Sequence, residues 1–217
     1  MKPLAVSMGD PAGVGLELAA RAWAERHDLP PFFFIGDANA FARGARRIGV
    51  AAPKLRVISD AAEIASLDGE TLTVLDTPLA IEESPGNPDP ANADAVIACI
   101  KRGVAAVRAG AASALVTLPI AKAVLHTADF GFPGHTEFIA HLTKDDAWLD
   151  ARGPVMMLAG PSLKVALATI HTPLAHVPKE LTRERIVQLI AELLIPVRIV
   201  PPFKTRFRRS RGRCHSG

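Results

Sequence analysis

The feature that most constrains the fold is the alternation, through the N-terminal half of the chain, of short apolar runs with segments of helical periodicity. The apolar runs predict strands at Leu4–Met8, Phe32–Ile35, Arg56–Ile58, Leu72–Leu75 and Ala114–Leu118. The periodic segments predict helices at Leu16–Arg26, Ala38–Ile48, Ala93–Val107, Ala121–Thr127 and Thr136–Leu142. Strands that alternate with helices indicate βαβ units and a largely parallel sheet, so the predicted fold class is α/β.

The pattern changes after residue 154. Val155–Ala159 and Leu163–Ile170 flank a Gly-Pro-Ser turn and predict a strand–turn–strand hairpin. Thr182–Leu194 predicts a last amphipathic helix, with Thr182 as its N-cap. Residues 195–217 have no periodicity, two adjacent prolines and several arginines. This composition predicts a disordered basic tail after a domain that spans residues 1–194.

The net charge is unevenly distributed, and this bears on possible partners. The 217 residues include 25 Lys and Arg against 22 Asp and Glu, a formal charge of +3 that by itself suggests a nucleic-acid partner. Seven of the basic residues and no acidic residue lie in 195–217, so residues 1–194 carry a net −4. Such a tail would bind nucleic acid only non-specifically, and residues 1–194 offer no aromatic platform or reading helix. A nucleic-acid partner is therefore disfavoured.

Composition is that of a globular protein, with 49% hydrophobic and 22% charged residues. Cys99 and Cys214 stand far apart, which argues against a disulfide framework and a cysteine zinc site. The N-terminus reaches Gly9-Asp10 too early for a signal-peptide core. No apolar run approaches the roughly 18–20 residues of a membrane span. We therefore expect a cytoplasmic protein without a membrane partner.

The first candidate site is the Gly-Asp-Pro-Ala-Gly-Val-Gly loop of residues 9–15, between a predicted strand and a predicted helix. Glycines in such a loop allow backbone N–H groups to approach an anion at a helix N-terminus. The loop is neither a P-loop nor a G-x-G-x-x-G fingerprint, because no Gly-Lys-Ser/Thr follows and residue 18 is Leu. Asp10 is a candidate site residue here, with a structural cap in a tight turn as the alternative.

The second candidate is His135-Thr136-Glu137, which follows a Pro-Gly turn and opens a predicted helix. The three side chains offer a proton-transfer group, a hydroxyl and a carboxylate near free backbone donors, an arrangement that suits an anionic substrate. The alternative is a surface helix in which Thr136 or Glu137 serves as the cap.

His171 and Lys122 are further candidates because each follows a predicted buried strand. An imidazole at a strand's end can ligate a metal or act as a base, whereas a satisfied, half-buried histidine is the alternative. Pro173 rules out a helical pair with His176, so any metal would take its other ligands from elsewhere in the fold. Lys122 can bind phosphate or a carboxylate, or be an ordinary solvated residue.

Four segments, in order, are similar to one known family. They are MGDPAGVGLE at 8–17, VTLPIAKAVLH at 116–126, FPGHTEFIA at 132–140 and PVMMLAGPSLKVALATIHTPLAHVP at 154–178. Over residues 1 to about 194 the chain resembles the 4-hydroxythreonine-4-phosphate dehydrogenase family of the pyridoxal phosphate (vitamin B6) pathway. The GHTE and THxPL-like elements are specific to this family and its near relatives.

The resemblance implies an isocitrate/isopropylmalate-dehydrogenase-like α/β/α sandwich with two subdomains, incomplete here because the second lacks strands. It implies a homodimer that oxidises the C3 hydroxyl of 4-phosphooxy-L-threonine with NAD or NADP. The β-keto acid product then loses CO2 to give 3-amino-2-oxopropyl phosphate. A divalent metal (Zn, Mg or Co) would bind the hydroxyl and polarise the new ketone. By the family pattern, His135 and Thr136 bind substrate, and His171 is the first of three metal-binding histidines.

The chain departs from the family in its C-terminal part. The family's second and third metal histidines, and its Lys, Asn and Arg substrate contacts, follow the last predicted helix and are absent here. Residues 195–217 resemble nothing in the family, which predicts a truncated or frameshifted member. Because one histidine cannot hold a catalytic metal with useful affinity, and missing strands would expose a sheet edge and an apolar face, we expect the chain to be inactive or poorly folded by itself. Leu16 also stands where family members usually carry Pro.

Two other functions stay open. Related dehydrogenases act on four-carbon sugar-acid phosphates or aromatic dihydrodiols, and the residues that separate them mostly follow the last predicted helix. A function of another class is a non-catalytic fragment whose basic tail binds nucleic acid. An acyltransferase of similar architecture is not supported, because the GHTE element belongs to the dehydrogenases.

Overall fold

One parallel sheet organises the first part of the chain. Its strands are β1 (Leu4–Ser7), β2 (Phe32–Gly36), β3 (Lys54–Ile58), β4 (Thr71–Asp76) and β5 (Ala114–Thr117). All neighbouring strands are parallel, in the spatial order β3-β4-β2-β1-β5. Parallel neighbours need crossover connections, which the helices between the strands supply. The predicted α/β class with a parallel sheet is confirmed.

The computed structural model describes residues 2–64, 67–146, 155–160 and 162–194. The chain divides into two compact units, Met1–Asp146 and Ala147–Gly217, and each is described by itself. The disordered tail predicted for residues 195–217 lies outside the described residues, and the domain limit at residue 194 stays a prediction. Within the described ranges, no helix is long and apolar enough to cross a membrane.

Helices cover both faces of the sheet in the first unit. They are α1 (Gly15–Ala24), α2 (Ala38–Arg47), α3 (Ala93–Arg108), α4 (Lys122–Thr127) and α5 (His135–Leu142). Trp23 of α1 makes an edge-to-face contact with Phe32 of β2, with ring centroids 5.8 Å apart. Gly103 of α3 lies against Leu115 of β5. Leu115 is in register with Phe33, the residue next to Phe32, so the side chains of Leu115 and Phe32 lie on opposite faces of the sheet. Helices α1 and α3 therefore lie on opposite faces, which gives the expected α/β/α layers.

The core of this unit is centred on β2, all five residues of which are buried. Helices α1 and α2 approach closely on one face, since a Cβ placed on Gly44 would lie 2.7 Å from the Cβ of Leu16. The Asp37 side chain accepts a hydrogen bond from the N–H of Ala40 at 2.7 Å and caps α2. The strands and α-helices predicted for this unit are all present, with differences at their ends.

Short 3-10 helices at Arg26–Asp28, Ala61–Glu63 and Pro90–Asn92 complete the first unit. The first of them replaces the predicted last residues of α1, which ends at Ala24. β5 likewise ends at Thr117, one residue before the predicted limit. These differences are confined to element ends.

The second unit contains an antiparallel pair and two helices, β6 (Met157–Ala159), β7 (Lys164–Ala166), α6 (Val177–Glu180) and α7 (Arg183–Leu194). The N–H of Gly160 donates to the carbonyl of Leu163 at 2.7 Å, so the predicted hairpin is confirmed, with shorter strands. The hydroxyl of Thr182 accepts from the N–H of Arg185 at 3.2 Å, which confirms Thr182 as the cap of the last helix. Helix α6 was not predicted.

Candidate functional site

The candidate residues of the first unit lie near the carboxyl end of the sheet. β1 ends at Ser7 and β5 at Thr117, and these two residues are paired in register. The loops that follow the two strands are therefore neighbours. The chain passes from β1 to β2 on one side, and the later strand β5 lies on the other side of β1, so the strand order changes direction between β1 and β5. In open α/β sheets, such a reversal of strand order is where ligands bind.

The loop after β1 is packed tightly against the loop after β5. Gly9 has a φ of 70°, and a Cβ placed on it would lie 2.5 Å from the carbonyl oxygen of Pro119. The N–H of Asp10 donates to that same carbonyl at 2.8 Å. The buried carboxylate of Asp10 accepts from the N–H of Ala12 at 2.8 Å. This geometry favours the structural alternative for Asp10, which forms the turn and anchors the chain that leads to Lys122.

The Gly-His-Thr-Glu motif begins α5. His135 is the first residue of this helix, and the preceding Gly134 is its N-cap. Because the N-cap has no side chain and Glu137 forms no capping bond, the alternative of a helix capped by Thr136 or Glu137 does not hold. First-turn N–H groups of a helix have no partner inside the helix and are available to an anion. The side chain of Thr136 is exposed beside them.

The side chain of Lys122, the first residue of α4, lies beside the start of α5. A Cβ placed on Gly134 would lie 3.3 Å from Nζ of Lys122 and 3.6 Å from Oε2 of Glu137. The φ of Gly134 is 178°, extended backbone that any residue adopts, so crowding rather than conformation favours glycine there. The structure therefore brings Lys122 beside His135 and Glu137, although the sequence presents Lys122 as a candidate separate from the His135-Thr136-Glu137 group.

The imidazole of His135 is half-buried, in surroundings that favour its neutral form. Burial and the neighbouring ammonium of Lys122 both lower the pKa of His135 below its ordinary value of 6.5. Its Nε2 atom is buried and has no hydrogen-bond partner. Among the described residues, the only other buried side-chain nitrogen or oxygen without a hydrogen-bond partner is Oγ of Ser7, at the carboxyl end of β1. A buried polar atom without a partner is costly, so Nε2 of His135 is poised for a ligand.

An aromatic cluster that the sequence analysis missed supports this site. Phe138 of α5 lies 5.0 Å from Phe130 and 5.1 Å from Phe132, measured between ring centroids. Leu125 of α4 is buried in the same apolar cluster as Phe130 and Phe138. The cluster therefore joins α4 to α5 and fixes the spacing between Lys122 and the motif. The sequence signal that could have predicted this cluster is the presence of three phenylalanines around the GHTE motif.

His171 lies in the second unit and is exposed. The expectation that it stands at a strand's end is wrong, because β7 ends at Ala166. The last ladder bond runs from the N–H of Leu167 to the carbonyl of Met156, and the chain beyond it has no described strand partner. His171 has a φ of 56°, in the left-handed region that few non-glycine residues adopt.

The described residues do not form the metal site that the resemblance implies. They contain no group of three or more His, Cys, Asp or Glu side chains able to hold a metal ion. A catalytic zinc site uses three protein ligands. His171 would supply one of them, so the donor set does not fit a bound catalytic metal within the described part of the chain.

The fold and the site together define a class, a parallel α/β protein with a candidate anion site at a helix N-terminus. The sequence model of the family described as pyridoxal phosphate biosynthetic protein PdxA matches residues 28–196. The chain belongs to this family.

Named relatives agree with this assignment. The 4-hydroxythreonine-4-phosphate dehydrogenase of Caulobacter vibrioides is 47% identical over 187 residues, which cover 86% of this chain and 55% of the relative. The 4-hydroxythreonine-4-phosphate dehydrogenase of Bradyrhizobium diazoefficiens is 41% identical over an alignment that covers 98% of this chain and 61% of the relative. Its alignment extends into residues 195–217, which the sequence analysis places outside the family.

Solved structures show the same fold. The crystal structure of 4-hydroxythreonine-4-phosphate dehydrogenase from Klebsiella pneumoniae matches with a TM-score of 0.74 and 34% sequence identity. The match covers 88% of this chain and 57% of that chain. The chain thus spans little more than half the length of the proteins it matches.

Proposed function

We propose that the chain serves the oxidation of 4-phosphooxy-L-threonine in pyridoxal phosphate biosynthesis, and that the first unit binds the phosphate end of the substrate. The observation that carries the proposal is the start of α5, where the unpartnered Nε2 of His135 lies beside the exposed hydroxyl of Thr136. Family membership and the names of the relatives support the substrate class.

The geometry supports binding and orientation of the substrate. A neutral imidazole can donate one N–H hydrogen bond to a phosphate oxygen. It does so without the cost of burying a second positive charge beside the ammonium of Lys122. The hydroxyl of Thr136 and the first-turn N–H groups of α5 add donors, and the positive end of the helix dipole favours the anion. The reacting hydroxyl would then be placed at a fixed distance from the phosphate.

The cofactor and the metal belong to the proposal through the family. NAD or NADP would accept the hydride, and a divalent metal would polarise the C3 oxygen. His171 is proposed as one metal ligand. The described residues supply one of the three metal ligands, so the role we propose for this part of the chain is substrate binding.

Titration calorimetry with 4-phosphooxy-L-threonine tests the substrate class. Binding that is weakened by His135→Ala, with weaker binding of a four-carbon sugar-acid phosphate and no binding of an aromatic dihydrodiol, is the expected result. Preference for either of the other compounds would transfer the proposal to the related dehydrogenases. An assay of NAD(P)H formation with Zn2+, Mg2+ or Co2+ checks turnover, and a steady signal would overturn the expected inactivity.

Assembly and location complete the proposal. As in the family, we propose a homodimer and a cytoplasmic enzyme. Light scattering coupled to size exclusion measures the assembly directly, and a monomer at every concentration tested would contradict it.

A further inference from the structure

We propose that Lys122 is a further residue of the phosphate site, and that its ammonium and the His135 imidazole bind the same phosphate group on either side of Gly134. The inference rests on the proposed function for the identity of the anion. Its basis is the juxtaposition of two helix starts, the first residue of α4 and the first residue of α5.

The distances place Lys122 at the site. Nζ and Cε of Lys122 lie 3.3 and 3.4 Å from the position of a Cβ on Gly134, the residue next to His135. The ammonium also acts electrostatically on the imidazole, since it lowers the pKa of His135. The two side chains therefore share one small region, and a phosphate bound by His135 would be within reach of Lys122.

The charges at the site explain why a cation is needed. Oε2 of Glu137 lies 3.6 Å from the same position on Gly134, so a phosphate at this helix start would meet a carboxylate. The surroundings of the imidazole disfavour its charged form, so the imidazole does not readily offset that charge. The ammonium of Lys122 can, and among the described residues it forms no ion pair. An exposed ammonium without a carboxylate partner keeps its hydrogen-bond donors available to an incoming anion.

The surrounding structure holds Lys122 in place. The chain that leads to it is anchored by the hydrogen bond between the N–H of Asp10 and the carbonyl of Pro119. One turn further along α4, Leu125 is 2% exposed in the apolar cluster that includes Phe138 of α5. Both ends of the Lys122 segment are thus fixed, and the spacing between the ammonium and the imidazole is set before a ligand arrives.

Titration of the full chain with inorganic phosphate tests the inference, with the ring signals of His135 observed by NMR and assigned with His135→Gln. We expect phosphate to shift these signals, and Lys122→Met to weaken binding by about tenfold or more, as loss of a charge-assisted hydrogen bond predicts. Lys122→Arg, which restores the charge, retains most of the affinity. Lys101→Met, which removes an exposed lysine of α3, leaves it unchanged.

A second readout is independent of phosphate. Removal of the ammonium should raise the pKa of His135 toward its ordinary value in Lys122→Met, and not in Lys101→Met. Circular dichroism of each variant verifies that it is folded. If Lys122→Met does not fold, the same titration is made with Lys122→Arg. Equal phosphate affinity in Lys122→Met and the unchanged chain would overturn the inference, as would phosphate that leaves the His135 signals unmoved.

Failure of the proposed function gives a different result. If 4-phosphooxy-L-threonine binds no better than inorganic phosphate while the Lys122 effect persists, the anion site stands and the substrate assignment falls. None of these measurements depends on turnover.

Discussion

The two units of the chain differ in how they cover their apolar side chains. In the first unit, Phe33 and Phe34 are completely buried, at the centre of a cluster that extends over both faces of the sheet. In the second unit, Leu158, Leu163 and Leu174 are 56%, 67% and 86% exposed, and no residue there whose exposure the structure describes is buried. The same residue types thus have opposite environments in the two units.

This difference separates the two groups of candidate site residues. The candidate anion site is built on the first unit, where a core fixes each element that contributes to it. His171 lies on an exposed segment of the second unit, where hydrogen bonds but no buried side chains hold the described residues. Substitutions of one chemical type should therefore have large effects in the first unit and small effects in the second.

Truncation of an apolar side chain tests the contrast most strongly. Phe34→Ala removes a fully buried ring that lies 5.0 Å from the ring of Phe41, and should destabilise the chain by about 4 kcal/mol. Leu174→Ala removes a side chain that is 86% exposed and should change stability by less than about 0.5 kcal/mol. Urea unfolding followed by circular dichroism measures both. Comparable losses would mean that the second unit has a core of its own.

Glycine substitutions isolate the contact between the loops after β1 and β5. Gly9 and Gly49 have nearly equal φ values, 70° and 68°, but only Gly9 faces a close neighbour, the carbonyl of Pro119. Gly49→Ala should cost about 1 kcal/mol for the left-handed conformation. Gly9→Ala adds a clash with backbone and should cost about 3 kcal/mol. Equal costs in denaturant unfolding would show that the loops do not brace each other.

The fold was largely predictable because its signals are local. Apolar runs and helical periodicity predict each strand and α-helix of the first unit, and the Thr182 cap begins the last helix where expected. The position of β4 between β3 and β2 was not predictable, since it depends on which crossover packs best and not on any local pattern. Helix α6, with Pro178 near its start, is too short for periodicity to reveal.

The site was predictable in its parts but not in their arrangement. The GHTE motif marks the start of α5, and the strand exit marks Lys122 as a candidate. Their proximity depends on a core of side chains from two helices, which sequence spacing does not encode. Asp10 shows the converse: a motif typical of anion loops here forms a turn whose carboxylate is already hydrogen-bonded.

A buried carboxylate gives the first unit a pH dependence that the exposed second unit should lack. The side chain of Glu83 is 1% exposed and accepts hydrogen bonds from Arg43 and Arg47. Burial raises the pKa of Glu83, but hydrogen bonds from Arg43, from the backbone N–H of Glu83 and from Arg47 together outweigh this and hold the pKa below its ordinary value of 4.5. Its contribution to stability is therefore complete above that value and is lost as the pH falls below it.

Glu83→Gln tests this contribution against a matched neighbour. It should destabilise the first unit by about 2 kcal/mol at neutral pH, because two arginines lose their carboxylate partner, and it should flatten the loss of stability on acidification. Glu82 also faces Arg43, at 3.8 Å, but its side chain is 74% exposed. Glu82→Gln should cost less than about 0.5 kcal/mol and leave the pH profile unchanged. Urea unfolding between pH 3 and 7 measures both profiles, and a Glu83→Gln profile as steep as that of the unchanged chain would show that other carboxylates cause the acid sensitivity.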